Sequence, residues 1–452
     1  MAHTIKIRKG RDIRLKGAAE KNLDTSVRGS VYAIKPTDFY SLVPKLAVKE
    51  GDRVKAGDTL FYDKVNELIK FNAPVSGTVK AIVRGEKRRI LAVEIAADAS
   101  TDYRDFGTVN PAQTNREALL KHMLESGFWP SIVQRPFSIV ARPENKPKAV
   151  FISGFESAPL AGDPDFTMEG QMDDFQAGVD ALKVLADGKP IHLSHSGGNK
   201  VYANVKGVTL HEVNGPHPAG NVGVQIHHID PINKGETVWT VHPQDVANIG
   251  RFLKTGKFNP QRVVALVGSK VNSPRYFRVT AGVSLGAMIN GNVDTTNCRI
   301  ISGDVLSGDA LSAENYLGFY HTQVTVVPEG HEAKFFLTDG WLSPGFSKLS
   351  FSKAYPAWLL GKNKAYDVDT NNNGEHRAFV VTGQYEQVFP FDIYPVHLVK
   401  AIMVNDIDLM EKLGIYEVAP EDFALCEFAC TSKIDVQDVV RSGIDVVMAE
   451  FS

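Results

Sequence analysis

Only three cysteines occur in 452 residues, Cys298, Cys426 and Cys430, too few for a disulfide framework and too few for a four-thiolate metal site within one chain. A reduced compartment is the expectation. Long apolar runs are also missing: no stretch approaches the roughly 18 to 20 uninterrupted apolar residues that a spanning helix needs. Residues Met1 to Arg14 alternate Ile with Lys and Arg and place no apolar run after a basic tip, so no secretory signal is expected and the chain is assigned to the cytoplasm. Charge of one sign is lacking, with 50 Lys plus Arg against 52 Asp plus Glu, which argues against nucleic-acid binding by bulk charge. A hydrophobic fraction of 43% argues against disorder.

Several catalytic signatures are absent too. No GxGxxG follows the apolar run AVFIS at 149–153, where Ile152-Ser153-Gly154-Phe155-Glu156 stands instead, so a pyrophosphate lacks its usual close approach to a helix N-terminus. The nearest thing to a phosphate loop, Gly250 through Gly256-Lys257, has one residue too many and Phe258 where a Mg²⁺-binding hydroxyl is needed. Neither a GxSxG elbow nor an HExxH pair occurs. No catalytic residue and no metal ligand set is assigned.

What is present is patterned. From Pro44, apolar residues alternate with polar ones between the turns Gly51-Asp52 and Gly57-Asp58, and the pattern resumes at Ala73-Pro74 and Gly77-Thr78-Val79. This predicts short strands in a small β-domain, and VKEGDRVKAGD followed by APVSGTV resembles the barrel-sandwich domain of lipoyl and biotinyl carriers. The hairpin tip reads DKVNELIKF, however, and neither Lys64 nor Lys70 sits in a carrier signature, so a structural use of the fold is expected. Thr114 to Glu117 reads as a capping box opening a helix that Gly127 stops. The run 149–153, helical spacing at Phe175, Val179, Leu182 and Ala186, and IHLSH at 191–195 predict a βαβ unit on a parallel sheet. VVALVG, PRYFRVTAG and CRIIS predict strands around a short helix at Ser284–Ile289, the order of a β-grasp α+β domain. Past Pro395, Leu409 with Leu413, and Val436, Val440 and Ile444, give helical periodicity.

Seven of the thirteen histidines fall between His192 and His242. A metal centre is one reading, but no acidic or cysteine ligand joins them at standard spacing, and His227-His228 on an expected strand would face opposite ways. Satisfied structural histidines are the other reading. Cys426 and Cys430, in LCEFACTSK, look like the tail of a ferredoxin cluster motif, yet two thiolates do not replace four. They read as half-buried thiols on a helix, with a cluster completed by another chain as the alternative. Residues 1–30 carry eight basic side chains against three acidic ones, whereas 401–452 carry three against eleven. Such asymmetry suits docking between domains or with partners, and equally suits solvated faces.

IKIRKGRDIRLKGAAE at the start, FNAPVSGTVKAIVRGEKRRI, SGFWPSIVQRPFS at 126–138, GPHPAGNVGVQIHHIDP at 215–231, GSKVNSPRYFRVTAGVSL and the final LCEFACTSK together resemble the NqrA family of Na⁺-translocating NADH:quinone oxidoreductase subunits, in order along the whole chain. More distantly the chain is similar to the RnfC component of the Rnf complex and to the NADH-oxidising flavin subunit of respiratory complex I. The resemblance implies a multidomain α/β and α+β protein: a barrel-sandwich (lipoyl/biotinyl-like) domain at 1–108, a Rossmann-like domain with a preceding helix at 109–258, a β-grasp domain of the soluble-ligand-binding type (SLBB-like) at 259–330, a mixed connecting region at 331–394 and a helical domain related to iron–sulfur domains at 395–452. It further implies a peripheral subunit on the cytoplasmic face of the inner membrane, docked on integral membrane subunits of a sodium-transporting translocase. NADH, flavins and iron centres would lie on those partners, and no tightly bound cofactor on this chain. Ubiquinone or menaquinone is the implied small-molecule contact. The family's quinone-associated stretches match Arg135, Pro136, Phe137 and Ser138, and less closely Phe39, Tyr40 and Leu42. Aromatic walls with a few donors suit a quinone, and the same residue types suit an interface between subunits. The competing expectation is a soluble flavin- or NAD-binding oxidoreductase using the Rossmann-like domain.

Overall fold

The computed structural model describes residues 3–450 apart from 332–334, 336, 339, 341, 352, 354, 357–358 and 360–363. Part of the stretch read as connecting, 331–394, therefore lies outside the described residues.

Two small antiparallel sheets face each other near the N-terminus. One runs Val31–Ile34, Ile90–Ala97, Gly77–Arg84, Arg53–Val54, and the other Pro44–Leu46, Thr59–Asp63, Lys70–Asn72. Leu60, Phe61, Phe71, Val79, Val93 and Ile95 on these strands are fully buried. The two Gly-Asp turns have one geometry: the Asp52 carboxylate accepts from the Lys49 amide, and that of Asp58 from the Lys55 amide, each at 2.8 Å. Gly51 and Gly57 take φ of +88° and +100°, a left-handed conformation that glycine adopts without strain.

A seven-stranded sheet forms the centre. Its order is His3–Lys6, Thr209–Asn214, Ile191–His195, Val150–Ser153, Val238–Val241, Ile132–Arg135, Ile139–Val140, with the first five mutually parallel. The chain leaves Val150–Ser153, crosses by helix Met172–Leu185 to Ile191–His195, and later returns through helix Val222–Ile229 to Val238–Val241 on the other side of the starting strand. The strand order thus reverses between Val150–Ser153 and Val238–Val241. Helices Met172–Leu185 and Pro243–Thr255 touch through glycines: a Cβ on Gly178 would stand 1.9 Å from the Val246 carbonyl oxygen, and one on Gly250 1.9 Å from that of Asp174.

A mixed six-stranded sheet follows, with Gln261–Val267 between Gln323–Pro328 and Arg275–Thr280, and helix Leu285–Ile289 capping one end. Helices Pro395–Met403, Ile407–Lys412, Ala424–Ala429 and Val436–Glu450 enclose a second core of Phe389, Leu398, Met410, Phe423 and Val440.

Several expectations change. Residues assigned to the first unit are distributed elsewhere: His3–Lys6 pairs with Thr209–Asn214, and Leu23–Asp24 with the strand Arg275–Thr280, while Ile7, Ile13 and Leu15 enter the helical core. The alternating Ile and basic residues form an edge that needs a partner sheet, and sequence alone does not name it. The cap of helix Arg116–Ser126 is Asn115, whose side chain accepts from the Ala118 amide at 2.9 Å, not Thr114. Gly127 ends that helix in the left-handed conformation as expected. His227 and His228 stand on a helix, not a strand. In helix Ile407–Lys412 the buried residue is Met410, and Leu409 is exposed.

Candidate functional site

A cavity of about 470 Å³ opens where the order of the central sheet reverses. Its floor is the carboxyl end of two parallel strands, with Ser153 to Ala158 following one and Thr240 to Asp245 following the other. Open parallel sheets bind ligands at such a crevice, because strand ends and helix N-termini converge there without side chains covering them. Segments of the barrel sandwich, of the six-stranded sheet and of the helical unit form the walls.

The short turn Pro36–Asp38 carries the barrel's contribution. Asp38 accepts from the Phe319 amide at 2.8 Å and pairs with Lys35 at 3.0 Å, and burial pushes its carboxyl above the usual range even against that lysine. Phe39 is buried in an aromatic cluster, 4.5 Å from Phe71 and 4.8 Å from Phe319 between ring centroids. Tyr40 is half exposed, with the Arg441 guanidinium 4.6 Å from its ring.

Arg135 ends the strand Ile132–Arg135, and its guanidinium is buried among carboxylates of the helical unit: Asp422 at 3.0 Å, and Glu421 in a second, close contact. Burial opposes its charge, but the two carboxylates outweigh that. The Glu421 carboxyl, half exposed at the cavity edge, is raised above the ordinary range by desolvation and by the neighbouring Asp422 and Asp304, with Arg135 pulling it down. Four of the seven residues picked out by sequence line the cavity: Phe39, Tyr40, Arg135 and Ser138. The other three do not. Pro136 is buried in the turn, Phe137 packs edge-on to Tyr416 with ring centroids 6.5 Å apart, and Leu42 packs against the main core. The Phe137 carbonyl accepts from Arg441 at 2.8 Å, which joins the turn to helix Val436–Glu450.

Other cavity groups were not singled out from sequence. Glu156 accepts from Thr322 Oγ1 at 3.0 Å and faces His242 Nε2 at 3.1 Å. His242 Nδ1 accepts from the Gln244 amide, capping helix Pro243–Thr255, which leaves the imidazole proton on Nε2 to donate to Glu156. Burial works to raise the Glu156 carboxyl, but these hydrogen bonds hold it below the usual range. His217 and His321 also line the cavity, hydrogen-bonded to Ser157 at 3.1 Å and Ser302 at 2.8 Å, and burial lowers the pKa of both. His217 and His242 did stand in the histidine-rich stretch, and Glu156 in the place of the missing glycine loop, so the signal was present without a geometry to read it.

The cavity is ill suited to a nucleotide. In a smaller pocket beside it, an added Cβ on Gly154 would lie 2.6 Å from the buried Tyr202 ring, so an aromatic side chain packs against the backbone that follows strand Val150–Ser153, where a nucleotide fold keeps its glycine-rich loop. Six carboxylates line the cavity, Asp38, Glu156, Asp245, Asp304, Asp309 and Glu421; Asp38 and Asp245 are paired with Lys35 and Arg262, and the lining Arg135 is committed to Glu421 and Asp422. A phosphate entering here meets carboxylates and finds the lining guanidinium already taken.

Four further histidines of the 192–242 stretch have protein partners. His192 Nδ1 lies 2.9 Å from His211 Nε2, His227 Nδ1 lies 2.7 Å from Glu417 while its Nε2 accepts from the Asp392 amide at 2.9 Å, and His228 Nδ1 donates to the Val224 carbonyl. Among the described residues no group of three or more His, Cys, Asp and Glu is arranged to hold a metal ion. Cys426 and Cys430 are fully buried rather than half-buried, because Ala424–Ala429 packs at the centre of the helical core, and burial pushes the Cys426 thiol up. Among the described residues no helix is long and apolar enough to cross a membrane.

Three family profiles match the chain: an NqrA N-terminal barrel-sandwich hybrid domain at residues 5–98, an NqrA second alpha/beta domain at 114–258 and an NQRA C-terminal domain at 263–313. Full-length similarity extends to the NqrA subunit of the Na(+)-translocating NADH-quinone reductase of Yersinia pestis bv. Antiqua, 37% identical over 451 residues, covering 99% of this chain and 100% of the relative. The corresponding subunit of Neisseria meningitidis serogroup B is also 37% identical over 451 residues with the same coverage, and that of Haemophilus influenzae 35% identical over 452 residues. A crystal structure of an NAD+-reducing [NiFe]-hydrogenase in the H2-reduced state aligns with a TM-score of 0.35 and 11% identity over 78% of this chain and 67% of that one, a likeness too distant to bear on function.

Proposed function

The chain belongs to the NqrA family of Na(+)-translocating NADH-quinone reductase subunits, and from that premise we propose that it is the peripheral NqrA subunit of such a reductase, assembled on membrane subunits at the cytoplasmic face. The observation that carries this reading is identity of 37% maintained across 99% of the chain and the whole length of a relative of that name. In the assembled enzyme NADH would be oxidised on another subunit, and electrons would pass by flavins and iron centres to quinone while Na⁺ is exported. The chain would carry no redox centre of its own: no glycine-rich loop follows Val150–Ser153, where Tyr202 packs against Gly154, and the two helical thiols are sealed in the core. In this reading the central sheet is a Rossmann-like domain without its nucleotide loop, and the six-stranded sheet a β-grasp domain of the soluble-ligand-binding type.

For the cavity we propose a quinone-adjacent wall. Its volume is within the roughly 300 to 1,000 Å³ of small-molecule sites, and an uncharged ring is not repelled by carboxylates as a nucleotide is. Phe39, Tyr40 and Phe319 supply aromatic surface, and Ser138 a hydroxyl with no protein partner. Arg135 plays a different part, because its donors are committed to Glu421 and Asp422; it fastens the helical unit to the central sheet. Capture of the tagged chain from native membranes in mild detergent tests the assignment. Co-purifying membrane subunits with Na⁺-stimulated NADH:quinone activity is the expected result. A chain recovered alone, or one carrying stoichiometric flavin absorbance, would refute it.

A further inference from the structure

Three histidines line the cavity, and their ring nitrogens are engaged differently. His242 has both committed, Nδ1 to the Gln244 amide and Nε2 to Glu156. His217 meets the Ser157 hydroxyl through Nδ1, but the Ser157 carbonyl also draws on the ring, so the hydroxyl alone does not set its tautomer. At His321 the tautomer is set. The Ser302 hydroxyl oxygen accepts from the Gly318 amide at 2.9 Å and lies 2.8 Å from His321 Nδ1. Ser302 is fully buried, and among the described residues Nδ1 is the acceptor its hydrogen reaches. A proton on Nδ1 would strand the hydroxyl hydrogen in the interior, at the cost of an unmade hydrogen bond. The hydroxyl therefore donates to Nδ1, and the imidazole carries its proton on Nε2. Among the described residues no protein group is hydrogen-bonded to that Nε2.

The direction of the ring is fixed as well. It sits between two glycines of the cavity wall: a Cβ on Gly318 would stand 2.3 Å from Nδ1, and one on Gly303 3.3 Å from Nε2. Neighbouring carboxylates are occupied elsewhere. Asp304 accepts from the Leu306 amide at 2.7 Å and the Ser307 hydroxyl at 2.6 Å, and Asp38 from Lys35 and the Phe319 amide. Burial keeps the ring neutral near pH 7, although Asp309, Asp38 and Asp304 pull its pKa up. A neutral N–H in a wall that also holds Phe39 and Phe319 suits a neutral acceptor oxygen better than an anion, which meets the surrounding carboxylates. We propose that His321 Nε2 donates a hydrogen bond to one carbonyl oxygen of a quinone in this cavity, with Ser302 as the residue that positions its proton. This rests on the reading of the cavity as a quinone-adjacent wall and names the group that orients the ring there.

The test is infrared difference spectroscopy of the purified full-length chain with decylubiquinone carrying ¹³C at one or the other carbonyl carbon, beside a binding titration of the same quinone. One carbonyl band at lower frequency than in a hydrocarbon solvent is the expected result for the parent chain. His321→Phe should return that band to the solvent value and weaken binding roughly three- to tenfold, the worth of one neutral hydrogen bond. His321→Gln, whose side-chain amide keeps a donor at similar reach, should retain the shifted band. Ser138→Ala should retain it too, although it removes the other unpartnered donor of the wall. A shifted band lost in Ser138→Ala and kept in His321→Phe would overturn the proposal. The parent spectra need no variant, so a variant that folds poorly leaves the test intact. The two readings fail separately: quinone that binds with both carbonyls unshifted, or with a band indifferent to His321, sinks this donor and leaves the wall, whereas a parent chain that binds no quinone sinks both.

Discussion

Arg135→Met should loosen the helical unit from the central sheet without unfolding the chain. The wild-type guanidinium is almost fully buried and lies 3.0 Å from Asp422, whose side chain has no solvent exposure. With the arginine removed, Asp422 keeps one donor, the Ala419 amide at 2.9 Å on Oδ2, and its Oδ1 already lacks a partner. Breaking one side of a buried pair costs about 3 to 5 kcal/mol, because the remaining charge is stranded away from water. That is about two to nearly four orders of magnitude in the equilibrium between docked and undocked states. The pair joins positions 287 residues apart on different units, so the loss should be local. Hydrogen exchange read by mass spectrometry is the suitable assay: amides of Ala424–Ala429 and Val436–Glu450 should exchange faster, while those of Val150–Ser153 stay protected. The double variant Arg135→Met, Asp422→Leu should recover most of the protection, since an apolar pair carries no stranded charge. Unchanged exchange in the single variant, or a double variant worse than the single, would refute the reasoning.

Three further outcomes follow from packing and burial. Gly250→Ala puts a methyl group 1.9 Å from the Asp174 carbonyl oxygen, so the helices must part and stability should fall by at least the roughly 1 to 3 kcal/mol of an overpacked core; a urea midpoint equal to the parent's would contradict this. Burial holds His192, His217 and His321 below the ordinary imidazole value, so the folded chain binds fewer protons than the unfolded one as pH drops through about 6.5. Stability should therefore be complete above that value and decline below it, and His321→Asn should flatten the decline; a midpoint independent of pH between neutrality and mild acidity speaks against it. The Cys426 thiol, buried and pushed up, should resist an aromatic disulfide reagent in the native chain and react once urea unfolds the helical unit, and rapid native labelling would show that the core is open.

The local features were readable because their causes are local. KEGD and KAGD specify identical turns through side chains three residues from the amides they bind, and Gly127 ends its helix because it adopts a positive φ without strain. The same locality explains the small errors. Thr114 and Asn115 both offer an oxygen at the start of a helix, and a one-residue choice between them depends on the direction from which the chain arrives. NVGVQIHHI is apolar enough for strand or helix; in the structure it is a helix whose two sides are buried in different cores, Ile226 against Phe151 and Val238 of the central sheet and Val224 in the core of the helical unit.

By itself the sequence determined the succession of β, α/β, α+β and helical units, the absence of a phosphate-binding glycine loop, and through its motifs the family. Only the tertiary structure decided which groups share a site. Arg135 was visible as a residue, but its partners lie 286 and 287 residues away, and nothing in the local pattern of RPFS marks it as fastened to Glu421 and Asp422 instead of free to bind. Likewise the N-terminal run was read as part of the first unit, yet Arg14 and Lys16 exchange backbone hydrogen bonds with Tyr366, some 350 residues away. Turns and caps are fixed by atoms within a few residues, whereas cavities and docking faces depend on contacts whose partners the chain brings together only when its cores close.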